Sequence, residues 1–126
     1  MTTSAAGKNS KAKHVRLNDI PVERLNPLID RQFVHGERSM VARLVLRTGC
    51  VIPMHSHENE QITYVLEGAM KFLIGGEDIF VRAGEVLIIP SHVPHSAEAL
   101  EDTIDLDIFC PPREDWINGT DAYLRK

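Results

Sequence analysis

"GCVIPMHSHENEQITYVLEG", residues 49–68, sets two histidines one residue apart, a glutamine four positions on, and a strand-forming run that ends at Gly68. In an extended strand, side chains at i and i+2 leave the same face, their Cα atoms roughly 7 Å apart. His55 and His57 therefore aim at one point. Gln61 shares their parity and lies just past a bend, so it can reach the same point. Glu60, its neighbour, has the opposite parity.

The flanking sequence continues in the same β idiom. "SMVARLVLR" (39–47) alternates, with Met40, Ala42, Leu44 and Leu46 on one face and Arg43 and Arg47 on the other. "QITYVLEG" and "AMKFLIGG" are β-rich runs parted by little more than Gly68, and "GGED" (75–78) is a hairpin turn. "EDIFVRAGE", "VLIIP", "PHSAEAL" and "DTIDLDIFC" follow, each bounded by a turn signal. The one helical signal is a turn around "REDWI". Many short strands at close spacing predict an all-β sandwich or barrel.

Composition narrows the class. The chain has 126 residues, 43% hydrophobic and 25% charged, which suits one soluble domain with a real core. A net charge of −4 argues against a nucleic-acid partner, which requires a concentrated basic surface. Residues 1–16 carry Lys8, Lys11, Lys13 and Arg16 and no acid, so the remainder carries −8. The first dozen residues hold no apolar run, which excludes a signal-peptide core or a membrane span there. Residues 1–13 read as a disordered basic tail and 14–126 as a single domain. Cys50 and Cys110 form no CxxC pair and fit the reduced thiols of a cytoplasmic protein.

A second motif completes the first. "GEVLIIPSHVPHSAEA" (84–99) places Gly84, Pro90 and His95 in order. Together with Gly49, His55, His57, Gln61 and Gly68, this spacing resembles the cupin family over roughly residues 33–112. The resemblance implies a small antiparallel, jelly-roll-like β-barrel. It implies one divalent metal ion per chain, held by His55, His57, the residue in the Gln61 slot, and His95. The third slot usually holds glutamate, and Ala99 stands where an asparagine is common. His92 is a rival for the fourth position, while His14 and His35 fall outside both motifs. Three neutral imidazoles and an amide leave a divalent charge uncompensated, so the site should attract an anionic oxygen ligand. Mixed N and O donors suit Zn, Ni, Mn, Fe or Co.

"TIDLDIFCPPREDW" (103–116) is the other informative stretch. Asp105, Asp107 and Phe109 share one face, and Ile104, Leu106 and Ile108 the other. The two acids either face water or line a polar pocket walled by Phe109. Pro111 and Pro112 stop the strand and deliver Arg113, which is either a surface charge or a bidentate fork for a carboxylate. The stretch resembles the cupins of pectin degradation that linearise unsaturated uronates. That resemblance implies a small anionic substrate, Asp107 and Arg113 as catalytic groups, and Phe109 and Arg113 against the substrate. The alternatives are a metal-dependent dioxygenase, a lyase, or a small-molecule binding module without turnover. Apolar surface in "MVARLVL" and "VLIIP" points to a homodimer.

Overall fold

The computed structural model describes residues 11–126. Ten strands pair antiparallel throughout: β1 (Glu23–Asn26), β2 (Ile29–His35), β3 (Met40–Leu46), β4 (Val51–His55), β5 (Glu60–Glu67), β6 (Ala69–Ile74), β7 (Glu77–Arg82), β8 (Val86–Ile89), β9 (His95–Ala99) and β10 (Thr103–Cys110). They form a six-stranded sheet, β1-β2-β3-β10-β5-β8, and a four-stranded sheet, β4-β9-β6-β7. This is the expected jelly-roll-like β architecture. A helix, α1 (Glu114–Asn118), follows at "REDWI" and ends at Gly119, whose φ of 72° is the left-handed C-terminal stop. Among the described residues, no helix is long and apolar enough to cross a membrane.

The core lies between the sheets. Met40, Ala42, Leu44 and Leu46 of β3 are buried as their alternation requires, against Met70 and Phe72 of β6 and Ala97 and Ala99 of β9. Each large apolar side chain so placed contributes about 1.5–3 kcal/mol. Gly68 holds the β5–β6 corner at φ 90°, where a Cβ would collide with the Asp102 carbonyl and Thr103. Thr103 exchanges hydrogen bonds with the Ala69 backbone there.

Two elements go beyond the sequence expectation. The β1–β2 hairpin was not expected, because buried Arg31 and Gln32 break the alternation of β2. Strand β8 is apolar but lies at a sheet edge, with Val86 and Ile88 outward and 54% and 60% exposed. The expected disordered tail falls mainly on residues 1–10, outside the described residues; residues 11–16 are exposed irregular chain.

Candidate metal centre

His55 ends β4 and His95 begins β9, and the register sets them directly opposite each other. His57 follows in the loop, which is braced by the His92 N–H donating to the His57 carbonyl at 2.8 Å. Ring centroids lie 4.3 Å apart for His55–His95, 5.1 Å for His57–His95 and 5.5 Å for His55–His57. One nitrogen from each ring can be chosen so that all three fall within 4.8 Å of one another.

The backbone decides which nitrogen faces inward. Nδ1 of His55, His57 and His95 lies 2.8, 3.0 and 2.8 Å from the carbonyls of Pro53, Asn59 and Val93. A carbonyl only accepts, so each Nδ1 carries the proton and each Nε2 presents a lone pair. Burial pushes His55 and His57 down to about 4 and lowers His95 as well, so the rings stay neutral at neutral pH.

Gln61 is oriented from behind. Its Nε2 donates to Thr63 Oγ1 at 2.9 Å, and Thr63 Oγ1 donates to Asp107 Oδ1 at 2.7 Å. That turns Gln61 Oε1 toward the histidines, 3.2 Å from His57 Nε2. Two lone-pair atoms thus face each other, and His95 Nε2 is buried with no hydrogen-bond partner. Both features are unfavourable in a dry pocket and both are resolved by a cation. The donor set therefore fits a divalent ion. Glu60 points outward, and His14, His35 and His92 are exposed.

Strand β10 supplies the adjoining wall. Asp105, Asp107 and Phe109 are all buried, so the water-facing alternative is excluded. Phe109 pairs with Gln61 and Asp107 with Thr63 across β5. Burial pushes the Asp107 carboxyl up to about 6, against the lowering effects of Thr63, Arg113 and Asp105. Asp105, deeper still and beside Asp107, is raised well above the usual carboxylate range. Arg113 is 2% exposed and sits over Phe109 and Trp116, 5.0 and 4.8 Å from their centroids. Its bidentate edge is occupied within the chain: Nε and Nη2 donate to Asp115 at 3.0 and 2.8 Å, and Nη2 also donates to Tyr123 Oη at 2.6 Å. The fork expected for a substrate is thus filled by Asp115, and Nη1 is the nitrogen left without a protein partner among the described residues.

Sequence reasoning missed Thr63, Asn59 and Tyr123. Asn59 is buried and donates to the carbonyls of Pro111 and Pro112, tying the histidine loop to the end of β10. Tyr123 stacks on His55, with centroids 4.7 Å apart. His55, Gln61, His95, Asp107, Arg113 and Tyr123 all line one cavity of about 30 Å³.

Comparison with known proteins agrees with this arrangement. The family model described as "Cupin domain" matches residues 42–111. The chain is 32% identical to the oxalate-binding protein of Thermotoga maritima over 83 residues, 65% of this chain and 68% of that one. It is 25% identical to the pectin degradation protein KdgF of Dickeya dadantii over 103 residues, 79% of this chain and 94% of that one. The 3-hydroxyanthranilate 3,4-dioxygenase of Rattus norvegicus matches at 35% over 74 residues, 56% of this chain but only 26% of the enzyme's length. The solved structure of KdgF from a Halomonas species superposes with a TM-score of 0.78 at 29% identity, covering 84% of this chain and 99% of that one. Sequence match, sheet topology and the histidine cluster agree: the chain belongs to the cupin family.

Proposed function

We propose that this chain is a metal-dependent cupin enzyme that acts on a small carboxylated metabolite, with an unsaturated uronate as the substrate and ring opening to the linear keto form as the reaction. The observation that carries this reading is the convergence of three inward-facing histidine nitrogens and Gln61 Oε1 beside a buried carboxyl and a buried guanidinium. The near full-length likeness to KdgF supports it.

His55, His57, Gln61 and His95 would hold the ion. When bound, it supplies Lewis-acid polarisation of substrate oxygens, undiluted by any ligand carboxylate. The other roles belong to the chain. Arg113 Nη1 orients the substrate carboxylate with one charge-assisted hydrogen bond. Asp107, titrating near 6, takes a proton from the substrate or returns one. Thr63 holds Asp107 and Gln61 in register, so the acid–base group and the metal ligand move together. Phe109 and Trp116 keep water away from the pair.

One observation favours a second reading, binding of a small dicarboxylate without turnover. One relative, matched over 68% of its own length, is named for binding oxalate. The test is the same for both. Metal-loaded protein is mixed with the unsaturated monouronate and loss of its conjugated absorbance is followed, while oxalate binding is measured by calorimetry. Accelerated loss is expected. No acceleration together with tight oxalate binding would replace the enzyme reading with the second one.

A further inference from the structure

We infer that Tyr123 is a further ligand-contacting residue of this site, donating its phenolic hydrogen to an oxygen of the bound carboxylate. The inference rests on the preceding reading only in requiring that an oxyanion occupy the cavity, whether or not it is turned over.

Tyr123 is fixed from below. Asp121, fully buried, meets Arg31 Nη1 at 2.6 Å, and Arg31 in turn lies 4.4 Å from the Trp116 ring centroid. Leu124 is buried in the core, and its carbonyl accepts from Asn26 Nδ2 at 3.0 Å. The segment is pinned on both sides of Tyr123, so the ring is a wall of the cavity. It stacks on His55 with the planes 34° apart, and both residues line the cavity.

The hydrogen-bond accounting then identifies one unused donor. A phenol oxygen has two lone pairs and one hydrogen. Arg113 Nη2 donates to the oxygen at 2.6 Å. The Trp116 indole N–H is buried with no hydrogen-bond partner and so makes no claim on the phenol oxygen. Nothing among the described residues accepts the phenol's own hydrogen. An ordinary phenol keeps its hydrogen at neutral pH. A half-buried phenol hydrogen with no acceptor among the described residues, at the wall of a cavity bordered by candidate metal ligands, is placed to meet an acceptor brought by the ligand. A carboxylate supplies two oxygens, one for the metal point and one for Tyr123.

The test titrates the full-length, metal-loaded chain with oxalate and, separately, with the unsaturated monouronate, by calorimetry. Wild type, Tyr123→Phe and the outer-face control Tyr64→Phe are compared. Tyr123→Phe keeps the ring and its stack on His55, so metal content should match wild type; Arg113 Nη2 loses one acceptor but keeps Asp115, so the melting temperature should fall only slightly. Affinity for whichever probe binds should fall about tenfold, the worth of one hydrogen bond, and Tyr64→Phe should bind like wild type. Equal affinity in Tyr123→Phe would overturn the inference while leaving the parent reading standing. Loss of metal in that variant would also overturn it, by showing that the hydroxyl serves the framework. Wild type that binds neither probe would contradict the oxyanion reading itself and the inference with it.

Discussion

Strands β3 and β10 lie side by side in one sheet and alternate in opposite senses. On β3 the inward residues are Met40, Ala42, Leu44 and Leu46, as burial favours. On β10 the inward residues include Asp105 and Asp107, while Ile104, Leu106 and Ile108 point outward. The register sets Asp107 opposite Ala42 and Asp105 opposite Leu44. A one-residue slip of β10 would bury three large aliphatic side chains and release two carboxyls to water. Specific partners oppose that slip: Thr63 holds Asp107, the Ala69 backbone holds Thr103, and Phe109 packs edge-on against His57 and Trp116. One strand is written for stability and its neighbour for chemistry.

Substitutions on the two strands should therefore separate cleanly. The largest effect is expected at Asp107→Asn. Shape is preserved and the proton-transfer group removed, so turnover of the unsaturated uronate should drop roughly 10²- to 10⁴-fold with metal and fold intact. Unchanged turnover would keep the substrate but remove Asp107 from the mechanism. Leu46→Ala, facing Thr103 across the pair and outside the cavity lining, should do the reverse. It should cost about 2–5 kcal/mol of stability in denaturant unfolding while metal stoichiometry stays at the wild-type value. A loss of metal without a loss of stability would mean that β3 belongs to the site.

A smaller and sharper contrast lies in pH. Asp107 has a folded value of about 6 against an ordinary 3.8, raised chiefly by burial. Protonation in the fold therefore contributes stability that is present below the ordinary value and is lost as pH rises through about 6. Metal-free Asp107→Asn should match wild type near pH 4 and become progressively more stable than wild type toward pH 7. The cost of Leu46→Ala, which faces Thr103, should not vary over that range. Thermal melts across pH report both, and a pH-independent difference for Asp107→Asn would show that the carboxyl is not held protonated by the fold.

Part of the metal cluster was open to a local reading, and the rest came from the resemblance to the cupin motifs. The one-residue spacing of His55 and His57 pointed to a shared target, although His57 proves to lie in the loop after β4; His95 was reached only through the resemblance, because its place opposite His55 depends on the long-range pairing of β4 with β9. The inward face of β10 was legible from period-2 parity, once Phe109 was weighed beside the acids. Thr63 was not, because a threonine in a strand is ordinary and its importance lies in two partners on either side of it. Tyr123 was out of reach for another reason: its position follows from the Arg31–Asp121 pair, 90 residues apart in the chain. Arg113 shows the limit of motif reading. Its place beside the site agrees with expectation, but the carboxylate on its fork is the chain's own Asp115.

Metal content reports on the proposed site of His55, His57, Gln61 and His95 without any assumption about substrate. Protein purified without chelator is measured by elemental analysis beside a His55→Ala/His57→Ala double variant, both confirmed as folded by circular dichroism. About one divalent ion is expected per wild-type chain and essentially none in the double variant. Full metal retention by the folded double variant would contradict the proposed site.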